Sequence, residues 1–251
     1  MAFPAARLVR SLVDPLDGVP AAVADRVWIS PLIVVVLCSA LAQGVVALRW
    51  DTQTAVVQQM AAAGELANAT EAELTDKIET AGRIKLVGGL AIGLVGPLLS
   101  LLLLAVGLRL GSWLFDLRPS FRACLAAAGI ALLPLALYDL IYLLSALARP
   151  QLDEAEVAHL VPSSLAVLWP KLSPKAQQAL AVLDFFKLWS VAVLGLAFAA
   201  ATGMRRRAAL PLMLICYLLF AGASMGAASL AASAAQSAAA GADGDHAGGP
   251  R

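Results

Sequence analysis

Two uncharged runs, one bounded by Arg26 and Arg49 and the other by Lys85 and Arg109, constrain this chain more than any other feature. A hydrocarbon core about 30 Å thick is crossed by about 20 apolar residues in helical rise, and each run is long enough. Inside lipid every backbone N–H and C=O must be paired within the segment. Runs rich in Leu, Ala, Val and Gly with no alternating pattern therefore form helices. Three further apolar stretches follow, so the chain reads as all-α, a polytopic membrane protein built as a bundle of five transmembrane helices. The spans fall at about 27–48, 86–108, 123–148, 179–204 and 208–230. Pro134 and Asp139 interrupt the third. Ser173 before Pro174 supplies a hydroxyl cap and a proline at the first helical position, which predicts a fourth helix continuing to Met204.

The composition agrees: 61% of residues are hydrophobic and 14% charged, far from the average of soluble domains. A net charge of +1 offers no sustained basic stripe to displace phosphate counterions, which argues against a nucleic-acid partner. Cys38, Cys124 and Cys216 lie singly in three different apolar runs, where a thiol serves as small packing filler. His159 and His246 lie outside the spans. No metal-ligand spacing is present, and no cofactor is implied.

Residues 1–26 carry Arg7, Arg10, Asp14, Asp17, Asp25 and Arg26 among short apolar stretches, without the continuous hydrophobic centre of a signal peptide. They read as an amphipathic cytosolic lead-in. Residues 231–251, dominated by Ala, Gly and Ser, read as frayed helix passing into a disordered tail. With the N-terminus inside, the inner segments are the lead-in, the turn holding Arg109, Arg118 and Arg122, and the cluster Arg205 to Arg207. The outer loops and tail spread a similar number of Lys and Arg over about twice the length, together with most of the acids, which favours N-inside and C-outside. In the first outer loop, Thr70 and Glu73 form a capping-box pattern that predicts a short helix there.

Four local patterns then stand in order: Trp28-Ile-Ser-Pro31 at the entry to the first span, Pro119-Ser-Phe-Arg122 before the third, Leu133-Pro134 within it, and Leu183-Asp-Phe-Phe-Lys-Leu-Trp189 in the fourth. Taken together they resemble the Yip family, five-span membrane proteins named for interaction with Ypt/Rab-type GTPases, and its bacterial members most of all. In the last pattern Leu183, Asp184, Phe186 and Trp189 fit the family's Leu-Asp-x-Phe-x-x-Trp; Trp28 and Pro31 carry the first. The resemblance covers about residues 5–226 and implies a five-span fold with an interaction role. The Asp-Leu-Tyr-Gly-Pro motif of the eukaryotic trafficking members is missing, so Rab binding is not carried over. The alanine-rich composition suits a GC-rich bacterial genome, which makes the inner membrane the expected location.

Asp139, Asp184 and Lys187 are the charges inside the apolar segments, and such residues are costly in lipid unless paired. On one continuous helix Asp184 would stand about 31 Å from Arg205, at the outer interface, as a solvated carboxylate. Asp139 and Lys187 lie at nearly equal separations from Arg122 and Arg205 on antiparallel spans, which predicts an intramembrane ion pair fixing helix register, with a proton or ion relay as the sharper alternative. Gly222-Ala-Ser224-Met-Gly226 matches the G-x-S-x-G nucleophile pattern, but that mechanism needs a strand-to-helix elbow and a nearby histidine. The same glycines, and Gly89 with Gly93, space small residues for close helix packing. Trp113, Phe115 and Phe121, flanked by Arg109, Arg118 and Arg122, suit contact with anionic headgroups or an acidic partner surface. Trp169, with Val161, Leu165 and Leu168, makes an interfacial anchor in the second outer loop.

The combined expectation is a non-enzymatic interaction or membrane-organising module whose partners are the lipid bilayer and another membrane protein or a second copy of itself. A small transporter subunit using Asp139 and Lys187 is the first alternative, and an intramembrane hydrolase at Ser224 the second. The orientation is checked with single cysteines and an impermeant thiol reagent in intact cells. A cysteine at Glu71 should label and one at Arg206 should not; the reverse pattern inverts the topology.

Overall fold

The computed structural model describes residues 5–245, with side chains described up to Ala227 except at positions 5, 155, 158, 174 and 175. Among the described residues there is no β-strand, and five helical segments are long and apolar enough to cross a membrane. The first is α3 (Ile29–Arg49); α1 (Ala5–Val13) and α2 (Pro15–Ala24) precede it and α4 (Thr52–Ala62) follows. The second lies within α5 (Glu71–Trp113). Next come α6 (Phe121–Ala131) and α7 (Leu133–Leu147), which together form the third span, and α8 (Glu154–Ala158) in the following loop. Finally α9 (Pro174–Ala181) leads into α10 (Phe185–Thr202) and α11 (Arg206–Asp245), the fourth and fifth spans.

The capping box at Thr70 forms: the Glu73 N–H donates to Thr70 Oγ1 at 3.3 Å, and the Thr70 N–H donates to Glu73 Oε2 at 3.0 Å. The helix it opens is not short. α5 has 43 residues, about 64 Å at helical rise, twice the hydrocarbon thickness. Its first turns therefore stand outside the membrane, where the Lys85 ammonium sits 3.5 Å above the Trp50 ring. The two long loops interlock at this end of the bundle. Leu152 donates to the Arg49 carbonyl at 2.8 Å and Asp51 donates to the Leu152 carbonyl at 2.9 Å. Asp51 also caps α4, and hydrogen bonds from the Thr54 backbone and hydroxyl hold its carboxyl below the usual carboxylate range.

At the opposite end the core closes around α6. Its sequence, Phe-Arg-Ala-Cys-Leu-Ala-Ala-Ala-Gly-Ile-Ala, is mostly small residues, and Cys124 through Ala131 are buried. Lipid supplies no hydrophobic drive between helices, so close van der Waals packing of small residues decides which helices meet. Leu101 and Ala105 of α5, Val35 of α3 and Val193, Ala197 and Phe198 of α10 surround it.

The lead-in contributes Leu8, Val19, Ala22 and Val23 to this core. α1 and α2 form a hairpin in which Val19, Ala22 and Val23 are buried against α6 and α10. The hairpin is tight because residue 18 is glycine; a Cβ there would lie 2.6 Å from the Arg10 backbone. Ion pairs Arg7–Asp25 and Arg10–Asp17 keep the charges on its exposed side.

Two breaks depart from the expected helices. Pro134 has no N–H to offer the Ile130 carbonyl, and α6 ends at Ala131; Leu135 donates to the Leu132 carbonyl at 3.0 Å, and the Ala131 carbonyl accepts from Ser190 Oγ of α10. The fourth helix does not run on from Ser173: α9 stops at Ala181, and α10 starts afresh at Phe185. α10 ends at Thr202 on Gly203, whose φ of +78° suits the left-handed cap. Residues 231–245 continue α11 as helix, and His246 lies outside the described residues.

Gly93 carries the contact of α5 with α3, since a Cβ there would lie 2.7 Å from Ala40 Cα. Gly93→Ala should lower the melting temperature of the purified protein, by about 1–3 kcal/mol of overpacking. Gly88→Ala, where nothing lies within 4 Å, should leave it unchanged or raised. Equal behaviour of the two variants would show that this approach does not hold the helices.

Candidate functional site

The loop-end half of the bundle is less filled than the core, and its charged residues gather at the start of α10. Asp184, the expected solvated carboxylate, is 7% exposed. The α9–α10 break makes it the N-cap of α10: its Oδ1 accepts from the Lys187 N–H at 3.0 Å, and its Oδ2 accepts from Ser163 Oγ. The loop strand reinforces this link. Phe185 donates to the Ser163 carbonyl at 3.0 Å and Leu165 donates to the Leu183 carbonyl at 3.1 Å. From the other side Tyr217 Oη of α11 donates to the Val182 carbonyl at 2.6 Å. One short break thus ties α10, α11 and the second loop together.

The four fixed positions of the Leu-Asp-x-Phe-x-x-Trp pattern have a local physical meaning. Asp184 terminates the loop and starts the helix. Phe186 and Trp189, three residues apart and so on one helix face, stack at 6.5 Å, and Phe186 meets Tyr138 of α7 edge-on at 5.6 Å. Tyr142 stacks on Tyr138 at 5.9 Å, and Leu183 provides the carbonyl for Leu165. At the other motif, Pro31 is fully buried and the Trp28 carbonyl comes within 3.3 Å of where a Gly129 Cβ would stand. Gly129, Ser163, Ser190 and Tyr217 were not singled out in the sequence. Only Gly129, lone in an alanine run, gave a local signal.

Asp139 and Lys187 face the same cavity of about 330 Å³, between α3, α5, α7 and α10, but no ion pair joins them among the described residues. The count from Arg122 to Asp139 crosses the break at Leu132, and the count from Lys187 to Arg205 runs past the end of α10 at Thr202. Ser39, Ser100 and Tyr138 complete the polar part of the cavity wall.

The glycines divide into two groups. Gly89 and Gly93 pack on α3, with a Gly89 Cβ position 3.2 Å from the Gln43 carbonyl. At Gly222 nothing lies within 4 Å of such a position. Ser224 Oγ donates to the Ala221 carbonyl of its own helix at 2.8 Å, and His159 caps α8 in the second loop.

On the turn between α5 and α6, Arg109 donates to the Pro119 carbonyl and lies 6.0 Å over the Trp113 ring. It shapes the turn instead of reaching outward. Arg118 and Arg122 are exposed, as are Trp113 at 58%, Leu114 at 83%, Phe115 and Phe121. Trp169 and Leu168 are exposed in the second loop.

These features define an integral membrane protein with five spanning helices. The family model of the Yip1 domain matches residues 9–227, and the chain belongs to the Yip1 family. No curated protein and no solved structure is similar enough to count as a match.

Asp184→Ala removes the cap and leaves Ser163 without its acceptor. A loss of about 2–4 kcal/mol is expected, read as a lower melting temperature in detergent, with Asp184→Asn losing less because its amide oxygen still caps. If both variants melt like the parent, the carboxylate does not hold the break.

Proposed function

We propose that this protein is a non-enzymatic interaction and membrane-organising module of the bacterial inner membrane, with its N-terminus and the α5–α6 turn in the cytosol. The observation that carries the reading is that turn. Trp113, Leu114, Phe115 and Phe121 project beside Arg118 and Arg122, an apolar wedge with cations at its rim. Aromatic residues favour the headgroup level, and each basic residue near an anionic surface contributes about 1 kcal/mol. Membership of the Yip1 family supports an interaction role. A hydrolase at Ser224 lacks support, since that hydroxyl is engaged with its own helix and His159 lies in a loop.

The cavity at Asp139 favours a second reading, a small transporter subunit. It loses on size, because five spans without a visible inverted repeat fall short of the usual architecture.

The double variant Arg118→Gln with Arg122→Gln should retain anionic lipid, or a cross-linked partner, about 30-fold less well than the parent, measured by mass spectrometry of protein extracted from native membranes. In sealed liposomes the parent should move no ion or solute along an imposed gradient. Flux abolished by Asp139→Asn would replace the proposal with the transporter reading.

A further inference from the structure

The cavity at the loop end carries opposite charges that do not meet. Asp139 of α7 and Lys187 of α10 share its wall with Ser39, Ser100 and Tyr138, and no ion pair joins the two. The remaining carboxylate, Asp184, is committed to the α10 cap and Ser163. Ionised groups at membrane depth are stable only when paired or hydrated, and a single occupant bearing both a cation and an anion would complete both. The space suffices, because ligand pockets begin at about 300 Å³. Access is from the side: Ile92, on the cavity wall, is 66% exposed on the outer face of α5. Lys187 also lines a second cavity of about 450 Å³ between α9, α10 and α11, whose wall includes Val182, Phe220, Ala221 and Met225. The two cavities therefore adjoin at a single ammonium group, with the carboxylate of Asp139 on the wall of the first and Phe220 and Met225 on the wall of the second.

We propose that this pair of cavities binds one phospholipid with a primary-amine headgroup, its ammonium donating to Asp139 and Ser39, its phosphate accepting from Lys187, and an acyl chain lying along the α10–α11 cavity. The location fits a headgroup. Lys187 is in the first turn of α10 and Asp139 lies in the part of the third span nearer the loops, so both sit toward one membrane surface. The site is separate from the α5–α6 turn, and its failure would leave the proposed function standing.

The full-length protein in a neutral detergent is titrated with phosphatidylethanolamine, its N-trimethylated analogue, phosphatidylglycerol, and soluble phosphoethanolamine, with binding followed by native mass spectrometry and by melting temperature. The primary-amine lipid should bind and stabilise most. Trimethylation removes the N–H donors and phosphatidylglycerol the cation, so each should bind about tenfold more weakly or worse. Asp139→Asn and Lys187→Gln should each erase the preference, while Asp76→Asn, an exposed acid of α5 far along the chain, should keep it. Equal binding of the three lipids by the parent overturns the proposal whether or not the variants fold. So does a preference that survives in both cavity variants, and so does stabilisation by soluble phosphoethanolamine equal to that by the lipid.

Discussion

The packing of α6 is the constraint on which the remaining structure depends. Cys124 to Ala131 are buried on every side, and a helix can be enclosed that closely only if its side chains are small. Alanine at positions 126, 127 and 128 and glycine at 129 let α3, α5 and α10 come near the backbone. The Trp28 carbonyl and Pro31 reach within 3.4 Å of a Gly129 Cβ position. Where close packing replaces hydrophobic exclusion as the source of cohesion, a central helix of small residues fixes the places of its neighbours. The α1–α2 hairpin follows the same rule, with Gly18 admitting the Arg10 backbone.

Such packing at one end leaves the other end to be held by directed bonds. Pro134 stops α6, and Ser190 Oγ donates to the Ala131 carbonyl at the break. The break before α10 is held by Asp184, Ser163 and Tyr217. A dense half joined to a half with cavities is the result. Charged side chains are tolerated in the second half because there they have hydroxyls and open space around them, which the alanine core would deny them.

The arginine-bordered turn and the polar cavities lie at opposite ends of the bundle. The turn follows from chain order: α5 must end and α6 must begin there, and Arg109 closes it through the Pro119 carbonyl. The cavities arise from the mismatch between a broken third span and a fourth that starts late. The chain thus carries two chemically different features, an exposed apolar turn bordered by arginines and a concave wall of mixed charge.

The number of spans and the family were legible in the sequence, the first because the cost of burying charge and unpaired backbone in lipid is local and so is written in consecutive residues. Thr70 with Glu73 and Ser173 with Pro174 were legible for the same reason, since a cap involves only its own turn. Only the tertiary structure decided that the lead-in packs into the core, that Asp184 is a buried cap bonded to Ser163, and that Asp139 and Lys187 share a cavity without touching. Each of these depends on residues far apart in the chain and on where a helix stops. Counting residues along a continuous helix carries register across a break such as that at Leu132 as though the break were absent.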